Sequence, residues 1–416
     1  MARLIDDCLA SGSSAMTLDD AVALIAVRFP ICAGIETVAL QDADGRILAQ
    51  DVIAGINLPP FDNSAVDGYA VRHADLAPEG ETVLPVRGRI AAGATEAGIA
   101  AACAVRIFTG APMPAGADTV FMQEDVVVDG AQVVLPSGLK RGANRRVAGE
   151  DVACGARVLA DGHRLTPQDV ALAAAVGHHR LDLRRRLRVA VFSTGDEVAE
   201  PGAALRPGAI HDSNRVMLVA LLRRFGTEVH DLGILRDDAA QLGSRLAECA
   251  PSYDLILTSG GVSVGEEDHV RPAIEAVGRL VFWRLRIKPG RPVAMGVIGD
   301  TAFVGLPGNP VAAYVTLMFL VRPLIARLAG ATVRPPLAIP VRAGFTHAKR
   351  AGRREFLRVV LHRTPDGALE AHKCSTHGAA GLASLAASDA LAILAEDVTA
   401  LQAGDIVDVI FHDRLG

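Results

Sequence analysis

The segment Ser259–Asp268 combines glycines with a run of carboxylates at a predicted junction between a strand and a helix. Its glycines are Gly260, Gly261 and Gly265. Glycine lets backbone N–H groups approach an anion closely, and a helix start adds partial positive charge. Glu266 and Glu267 stand where a Walker-type phosphate loop carries lysine and serine or threonine. We therefore expect carboxylates that hold a hard cation bridging to phosphates, with a glycine-rich turn whose acids cap the helix as the alternative.

Further polar loops follow other apolar strands of the same region. Ser193–Glu197 is expected at the same edge of the sheet, where its acids could bind a metal, accept hydrogen bonds from a ligand, or cap a turn. Asp237 and Asp238 follow a strand that ends near Leu232, a position where an aspartate pair is usually a helix cap. Leu306–Pro310 opens a long apolar helix, whose N-terminus favours anions unless it is a plain connection.

Basic side chains gather around Lys288–Pro292, a proline-stiffened loop preceded by Arg284 and Arg286. Arg284 and Arg291 are suited to grip phosphate with planar guanidinium groups, and Lys288 would act as a point charge. Alternation places Arg284, Arg286 and Lys288 on one face of a strand, so a solvated basic face is the alternative. Taken together, these loops predict one pocket for an anionic, phosphate-bearing ligand.

The elements that must position these loops alternate between strands and helices from 187 to 330. The expected strands are Arg188–Phe192, Glu228–Leu232, Leu255–Ser259, Leu280–Ile287 and Ala302–Gly305. The expected helices are Arg215–Phe225, Asp238–Cys249, Val270–Val277 and Val311–Leu328. Nearly continuous apolar strands between amphipathic helices predict a mostly parallel sheet covered on both faces, with ligands at the carboxyl ends of its strands.

The rest of the chain contains mainly short strands. Thr17–Asp20 is a capping box that opens a helix to about Phe29, and Glu36–Leu40 with Arg46–Val52 predict a hairpin around Asp42–Gly45. Four strands of a compact β region are expected at Thr82–Val86, Ala104–Phe108, Thr119–Met122 and Gln132–Leu135. Four more are expected in a small C-terminal barrel at Leu337–Val341, Phe356–Leu361, Ala390–Leu394 and Ile406–Phe411.

After the β region, Asp151–Leu159 and the helix start at Thr166 repeat the hairpin-and-helix pattern of residues 17–52. We therefore predict a multidomain chain of mixed α/β and β class in which a β domain is inserted into a split domain. The predicted boundaries are 1–54 and 147–185 for the split helix and hairpin domain, 55–146 for the inserted β domain, 186–330 for the α/β domain and 331–416 for the C-terminal β-barrel-like domain.

Bulk properties restrict the class of protein. The mean hydropathy is +0.30, but the longest apolar run, Val311–Val321, is followed by Arg322 and Pro323, so no membrane span is predicted. The first residues lack the apolar segment of a secretory signal, and the six cysteines are isolated, so a cytoplasmic protein is expected. The net charge of −5 argues against general nucleic-acid binding and requires local basic groups for any anionic ligand.

Six motifs in order resemble the molybdopterin molybdenumtransferase family, which includes the bacterial MoeA enzymes and the matching domain of gephyrin. The motifs are PPFDNSAVDGYAV (59–71), RIFTGAPMPAGAD (106–118), STGDEV (193–198), TSGGVSVGEED (258–268), KPGRP (288–292) and LPGNP (306–310). The resemblance covers essentially the whole chain. It implies an elongated homodimer of four-domain subunits whose α/β domain is molybdopterin-binding. It also implies a transferase of molybdenum cofactor biosynthesis, which hydrolyses adenylylated molybdopterin with Mg²⁺, transfers molybdenum from molybdate to the dithiolene and releases AMP.

The resemblance also implies functional residues. By motif, the catalytic positions are Asp67, Thr109, Asp151, Glu197, Asp237, Asp268 and Lys288, of which Glu197, Asp237 and Asp268 are the metal-binding candidates. The substrate-binding positions are Ser193, Gly195, Gly260, Gly261, Ser263, Gly265, Arg284, Arg291, Pro307, Asn309 and Pro310. Arg284 and Arg291 stand where relatives often carry lysine, which preserves charge but disfavours proton donation by Arg284.

The implied dimer places Asp67 and Thr109 in the pocket of the partner subunit. Further partners implied by the pathway are the molybdopterin adenylyltransferase and proteins that mature molybdoenzymes. Two other functions are open to a chain with such loops: a nucleotide or pyrophosphate hydrolase, and a scaffold that holds molybdopterin without converting it. Neither nucleic acid nor a membrane is expected as a partner.

Overall fold

A six-stranded sheet, here called the central sheet, organises the middle of the chain. The computed structural model describes residues 15–94, 98–235, 239–262, 269–374 and 378–412. In spatial order the strands of the central sheet are Glu228–Leu235, Arg188–Thr194, Leu255–Ser259, Thr301–Leu306, Pro292–Ile298 and Arg279–Arg284. The first four are parallel and the last two run antiparallel to their neighbours, which confirms the mostly parallel sheet.

One predicted strand of this sheet was wrong. Leu280–Ile287 is divided into Arg279–Arg284, which belongs to the central sheet, and Ile287–Lys288, which pairs with the C-terminal region. The strand Pro292–Ile298, which was not predicted, lies between Arg279–Arg284 and Thr301–Leu306. Because the chain leaves the central sheet after Arg284 and Lys288 belongs to a separate strand, alternation along a single strand does not relate Arg284 to Lys288.

Helices cover both faces of the central sheet. They are Ser213–Arg224, Ala239–Cys249, Val270–Val277, Pro310–Thr316 and Arg322–Leu328. Along one strand, Val189 and Val191 join one core, whereas Ala190 and Phe192 join the other. This alternation follows from the two-residue period of a strand and explains why the strand is apolar throughout.

The longest apolar helix runs from Pro310 to Leu328 and contains a π-helical segment, Leu317–Val321. Pro323 cannot donate a backbone hydrogen bond and its ring would clash with the carbonyl one turn earlier, so a wider turn before it relieves the conflict. By length and composition this helix could cross a membrane, and 72% of its most apolar window is buried inside the protein. It occupies the centre of the larger core, as a core helix does.

The regions before and after the inserted β sheet pair with each other. Ile35–Ala39 pairs with Arg180–Arg184, and Val52–Ile53 pairs with Arg157–Leu159. The predicted hairpin around Asp42–Gly45 is therefore wrong, because each of its arms pairs with a segment more than a hundred residues later, where Val38 is partly buried and Val52 is buried. The domain boundaries stay a prediction.

Both helices of these paired regions begin with the predicted caps. Leu18–Arg28 starts after Thr17, whose Oγ1 accepts the N–H of Asp20. Pro167–Ala175 starts with a reciprocal capping box between Thr166 and Asp169. The predicted helix starts are confirmed.

The inserted sheet also has six strands. In spatial order they are Thr119–Met122, Gly68–Val71, Ala104–Ile107, Thr82–Ile90, Gln132–Leu135 and Val127–Asp129. The four predicted strands are confirmed, and Gly68–Val71 and Val127–Asp129 are additional. A side chain at Gly68 would place its Cβ 1.7 Å from the Phe121 carbonyl oxygen, so only glycine allows this strand to pair so closely.

The C-terminal region closes into a barrel, as predicted. Its strands are Ile339–Ala343, Arg354–Arg363, Leu369–Lys373, Ala390–Leu394 and Ile406–Phe411. Closure comes from pairing of Arg354–Arg363 with both Leu369–Lys373 and Ala390–Leu394. Leu369–Lys373 and the short helix Leu382–Ala386 were not predicted.

Shorter elements complete the described structure. Two-residue pairs join Asn63–Ser64 to Arg145–Arg146, Val198–Ala199 to Ile210–His211, and His347–Ala348 to Ala400–Leu401. Single 3-10 turns lie at Leu40–Asp42, His73–Asp75, Gln123–Asp125 and Ala250–Ser252.

Candidate active site

Three of the predicted loops leave the central sheet at one edge. Ser193 pairs in register with Ser259, and Ser259 pairs with Leu306 on the next strand. The Gly260 N–H donates to the Leu306 carbonyl oxygen at 3.0 Å. The loops that follow these strands therefore start side by side, at the carboxyl edge where ligands of such sheets bind.

Gly260 and Gly261 are required by close packing. Gly260 has a φ of +95°, and a Cβ there would lie 2.5 Å from the Thr194 carbonyl oxygen. A Cβ at Gly261 would lie 2.5 Å from Cγ2 of Val270, at the start of the following helix. The glycines thus allow the loop backbone to pass between a strand end and a helix, in addition to any contact with an anion.

Asn214, which was not among the predicted site residues, bonds to two of these loops. Its Nδ2 group donates to Ser259 Oγ at 2.8 Å and to the Gly308 carbonyl oxygen at 2.7 Å. Asn214 sits at the start of helix Ser213–Arg224, whose N-cap is Asp212. In the sequence, the signal for this position is a helix cap, Asp212, followed by a serine and an asparagine. That pattern does not show that Asn214 reaches the carboxyl edge, which only the fold determines.

Several buried polar atoms here have no hydrogen-bond partner among the described residues. They are Ser193 Oγ, Thr194 Oγ1, Asn214 Oδ1, Thr258 Oγ1 and, farther along, Thr316 Oγ1. Buried polar groups are nearly always hydrogen-bonded, and each exception requires an explanation such as a bound water or ligand. Most of them lie at the carboxyl edge, where the described residues leave these groups without a protein partner.

A cavity of about 340 Å³, here called the basic pocket, lies between the central sheet and the barrel. Lys288–Pro292, Pro307 and Asn309 line one side of it. The barrel supplies the other side with His347, Arg353, Glu355, Arg358 and Lys373. The structure thus unites the predicted Lys288, Arg291, Pro307 and Asn309 with basic side chains that sequence reasoning missed, since those are scattered over strands distant in sequence.

A chain of polar contacts crosses the basic pocket through Glu355, the one acid in its described lining. Lys288 Nζ lies 3.1 Å from Oε1 of Glu355, and His347 Nε2 lies 3.0 Å from Oε2. Lys373 Nζ lies 3.2 Å from His347 Nδ1. Burial raises the pKa of Glu355, but hydrogen bonds from His347 and Lys288 outweigh it, so the net pKa is lowered and the carboxylate is ionised at neutral pH.

The loop Leu306–Pro310 connects the basic pocket to the carboxyl edge. Pro307 and Asn309 line the pocket, Gly308 accepts the bond from Asn214, and Pro310 begins the long helix. One short segment therefore touches both regions, which form a continuous candidate site.

Asp67 and Thr109 meet each other on the inserted sheet, away from the described lining of the basic pocket. Asp67 Oδ1 accepts hydrogen bonds from the Thr109 N–H at 2.8 Å and from Thr109 Oγ1 at 2.7 Å. These bonds hold the pKa of Asp67 below its usual range. The pair is fixed as an ionised carboxylate and an oriented hydroxyl.

The other predicted residues lie apart or outside the described ranges. Arg284 ends a strand of the central sheet opposite Pro292, and the described lining of the basic pocket does not include it. Asp151 is exposed, and its N–H donates to the Leu58 carbonyl oxygen. The predictions that fall outside the described residues are Asp237, Ser263, Gly265 and Asp268.

Glu197 is the one metal-ligand candidate that the structure describes. It is exposed after the carboxyl edge and folds back toward Gly195, since a Cβ added at Gly195 would lie 2.8 Å from Glu197 Oε2. Within the described ranges, no three His, Cys, Asp or Glu side chains gather as a cation site. The described residues therefore supply one carboxylate here and no complete cation site.

Comparison with known protein families covers nearly the whole chain. Residues 16–177 match the MoeA N-terminal region (domain I and II), 190–327 match a probable molybdopterin binding domain, and 340–411 match the MoeA C-terminal region (domain IV).

Individual relatives and structures agree with these matches. A molybdopterin molybdenumtransferase of Haemophilus influenzae is 39% identical over 95% of this chain and 98% of its own. Molybdopterin molybdenumtransferase 2 of Mycobacterium tuberculosis is 37% identical over 90% and 94%. A crystal structure of a molybdopterin biosynthesis MoeA protein from Pyrococcus horikoshii superposes with a TM-score of 0.82 at 27% identity, covering 96% of this chain and 100% of that one.

Proposed function

This chain belongs to the MoeA family of molybdopterin molybdenumtransferases, and we propose that it transfers molybdenum from molybdate to molybdopterin in molybdenum cofactor biosynthesis. The observation that carries the proposal is the basic pocket beside the carboxyl edge of a molybdopterin-binding-type sheet. A site for a small oxyanion next to a site for a larger phosphate-bearing ligand is what this reaction requires.

The basic pocket suits molybdate because its cations outnumber its acids. Lys288, Arg291, Arg353, Arg358 and Lys373 line it, against Glu355 alone in the described lining. Guanidinium groups bind oxyanions through two parallel hydrogen bonds, and lysine adds a mobile point charge. We therefore assign molybdate to this pocket.

The carboxyl edge suits adenylylated molybdopterin. Gly260 and Gly261 let the loop backbone pass close to the strand ends, and the hydroxyls of Ser193, Thr194 and Thr258, which have no partner among the described residues, can bond to a polar ligand. Lys288 and Arg291, which line the basic pocket, would neutralise phosphate charge as AMP leaves. Positioning and charge neutralisation carry the reaction, so no nucleophilic side chain is needed.

We also propose that hydrolysis of the adenylate requires Mg²⁺. Glu197 would hold it from the described part of the site, together with Asp237 and Asp268 of the neighbouring loops. When bound, the ion stabilises negative charge on phosphate oxygens and orients water. If an Asp268→Ala variant hydrolysed the adenylate at the wild-type rate with saturating Mg²⁺, this ligand assignment would be wrong.

We further propose a cytoplasmic homodimer in which Asp67 and Thr109 complete the partner's site. Their fixed carboxylate and hydroxyl lie away from the basic pocket of their own chain, which favours action across subunits. The molybdopterin adenylyltransferase would supply the substrate, and proteins that mature molybdoenzymes would receive the product.

Product analysis tests the function directly. Purified protein with adenylylated molybdopterin, Mg²⁺ and molybdate is expected to release AMP and form active cofactor. A Lys288→Met variant should lose most of this activity, whereas Lys140→Met, which removes an exposed lysine of the inserted region, should not. AMP without molybdenum transfer would instead indicate a hydrolase, and tight binding without AMP would indicate a scaffold.

A further inference from the structure

Two ammonium groups of the basic pocket come from different parts of the fold. Lys288 is carried by the loop that leaves the central sheet, and Lys373 ends a strand of the barrel. Both line the same cavity. Like charges repel, so a specific arrangement must hold them there.

That arrangement is a buried carboxylate and an imidazole placed between the lysines. The Glu355 side chain is 2% exposed and the His347 side chain 12%, whereas the Lys288 side chain is 54% exposed. Because the Glu355 carboxylate can only accept, His347 Nε2 carries the proton that faces it. His347 Nδ1 is then an acceptor, and the Lys373 ammonium donates to it. The order of contacts is Lys288, Glu355, His347, Lys373.

Two cations next to this chain of contacts, Arg354 and Lys349, are bound to other groups. Arg354 donates to Asp19 at 2.7 and 3.0 Å and to Glu396 at 3.3 Å. Lys349 Nζ donates to the carbonyl oxygens of Arg353 and Glu396. The Glu355 carboxylate is therefore left to Lys288 and His347.

The backbone already fixes where Lys288 enters the pocket. Ile287–Lys288 pairs in parallel with Arg354–Glu355, and Lys288 is opposite Glu355 in register. Glu355 is thus not required to bring the loop to the barrel. Its side chain can therefore direct the Lys288 ammonium group without being needed to place the loop.

We propose that Glu355 and His347 are positioning residues that hold Lys288 and Lys373 as a pair of ammonium groups directed at one oxyanion. The inference rests on the proposed function in taking molybdate as that oxyanion. The electrostatics of Lys373 agree with this arrangement. Burial, and after it repulsion from Lys288, lowers the pKa of Lys373, as expected for two cations that share one cavity.

The sign of the Glu355→Gln effect distinguishes positioning from simple charge. Removing a carboxylate from an anion pocket should tighten anion binding if only long-range charge matters. If the carboxylate positions the lysines, binding weakens despite the gain in positive charge. The two accounts predict opposite changes in one measured constant.

The test is calorimetric titration of the full-length protein with sodium molybdate. We expect Glu355→Gln to weaken binding about tenfold, the equivalent of one lost charge-assisted hydrogen bond. His347→Gln and Lys373→Met should each weaken it, and the double variant should bind no worse than Lys373→Met alone, because His347 acts through Lys373. Asp366→Asn, which makes the same carboxylate-to-amide change at an exposed ion pair of the barrel, is the matched control and should bind like wild type.

Coupling to Lys288 separates positioning from damage to the barrel. Lys288→Met should cost much more affinity in the wild-type background than in the Glu355→Gln background, an interaction that a loosened barrel would not produce. Unchanged or tighter molybdate binding by Glu355→Gln overturns the inference. If that variant does not fold, additive losses from His347→Gln and Lys373→Met overturn it in its place.

Binding and transfer are measured separately, so failures can be told apart. A wild-type protein that binds molybdate in a Lys288-dependent way but transfers no molybdenum contradicts the proposed function, and the positioning inference is still decided by the binding constants. A wild-type protein that binds no molybdate overturns the positioning inference.

Discussion

At the scale of single residues, buried hydroxyls of the central sheet fall into two kinds. Thr301 Oγ1 donates to the Ala250 carbonyl oxygen at 2.6 Å and serves the fold. Thr194 Oγ1 is equally buried and has no partner among the described residues. A buried hydroxyl without a partner does not stabilise a fold, so we expect Thr194 to contribute to ligand binding and Thr301 to stability.

Replacing each threonine by valine should give opposite results. Thr194→Val is expected to leave the free energy of unfolding within about 0.5 kcal/mol of wild type, and Thr301→Val to lower it by about 1 kcal/mol. Affinity for adenylylated molybdopterin should fall only for Thr194→Val. Denaturant titration and ligand binding measure both quantities, and equal destabilisation by the two variants would contradict the assignment.

At the scale of elements, the loop Lys288–Pro292 is held by its contact with the long apolar helix. Gly290 has a φ of +107°, and a Cβ there would lie 2.7 Å from Thr316 Oγ1 and 3.4 Å from the Ala312 carbonyl oxygen. The loop therefore lies directly on the helix. We expect this contact to fix the loop that carries Lys288 and Arg291 into the basic pocket.

A Gly290→Ala substitution should disturb stability and binding together. Gly404→Ala is the matched control, because Gly404 has a φ of +97° and nothing within 4 Å of its Cβ position. Backbone strain alone should cost Gly404→Ala about 1 kcal/mol, and the added overlap should bring Gly290→Ala to about 3 kcal/mol. Only Gly290→Ala should also weaken molybdate binding in calorimetry; unchanged binding would show that the loop adjusts without moving its basic groups.

At the scale of the whole molecule, one core joins the first helix, the central sheet and the barrel. Ile25, Val304, Leu320 and Phe356 belong to the same buried cluster. The residues of the barrel that line the basic pocket are therefore held against those from the central sheet by a shared core. Asp67, by contrast, belongs to the inserted sheet, whose cores are separate clusters.

Mixing two inactive variants tests whether Asp67 acts across a dimer. Asp67→Asn and Lys288→Met chains, coexpressed and purified together, should regain about a quarter of wild-type activity, because random pairing makes half the dimers mixed and each mixed dimer has one intact site of two. Either variant alone should stay inactive. Mixed dimers that form without regaining activity would show that Asp67 does not act in the partner's site.

Local patterns predicted the elements that local physics controls. The caps at Thr17 and Thr166, the apolar strands of the central sheet and the alternating strands of the barrel all follow from short-range rules of hydrogen bonding and burial. The hairpin at Asp42–Gly45 was wrong because a turn motif does not determine which distant segment covers an apolar strand. The strand Pro292–Ile298 was missed because its start adjoins the prolines and glycine of the Lys288 loop.

The sequence by itself predicted the family, most of the strands and helices around the central sheet, and a grouping of Lys288, Arg291, Pro307 and Asn309, which the lining of the basic pocket shares. Only the tertiary structure decided that Asn214 joins two loops and that Glu355, His347 and Lys373 complete the basic pocket. Their positions depend on barrel closure and on pairing between Ile287–Lys288 and Arg354–Glu355. Pairing between segments so far apart is set by the shared burial of many side chains, which no local pattern contains.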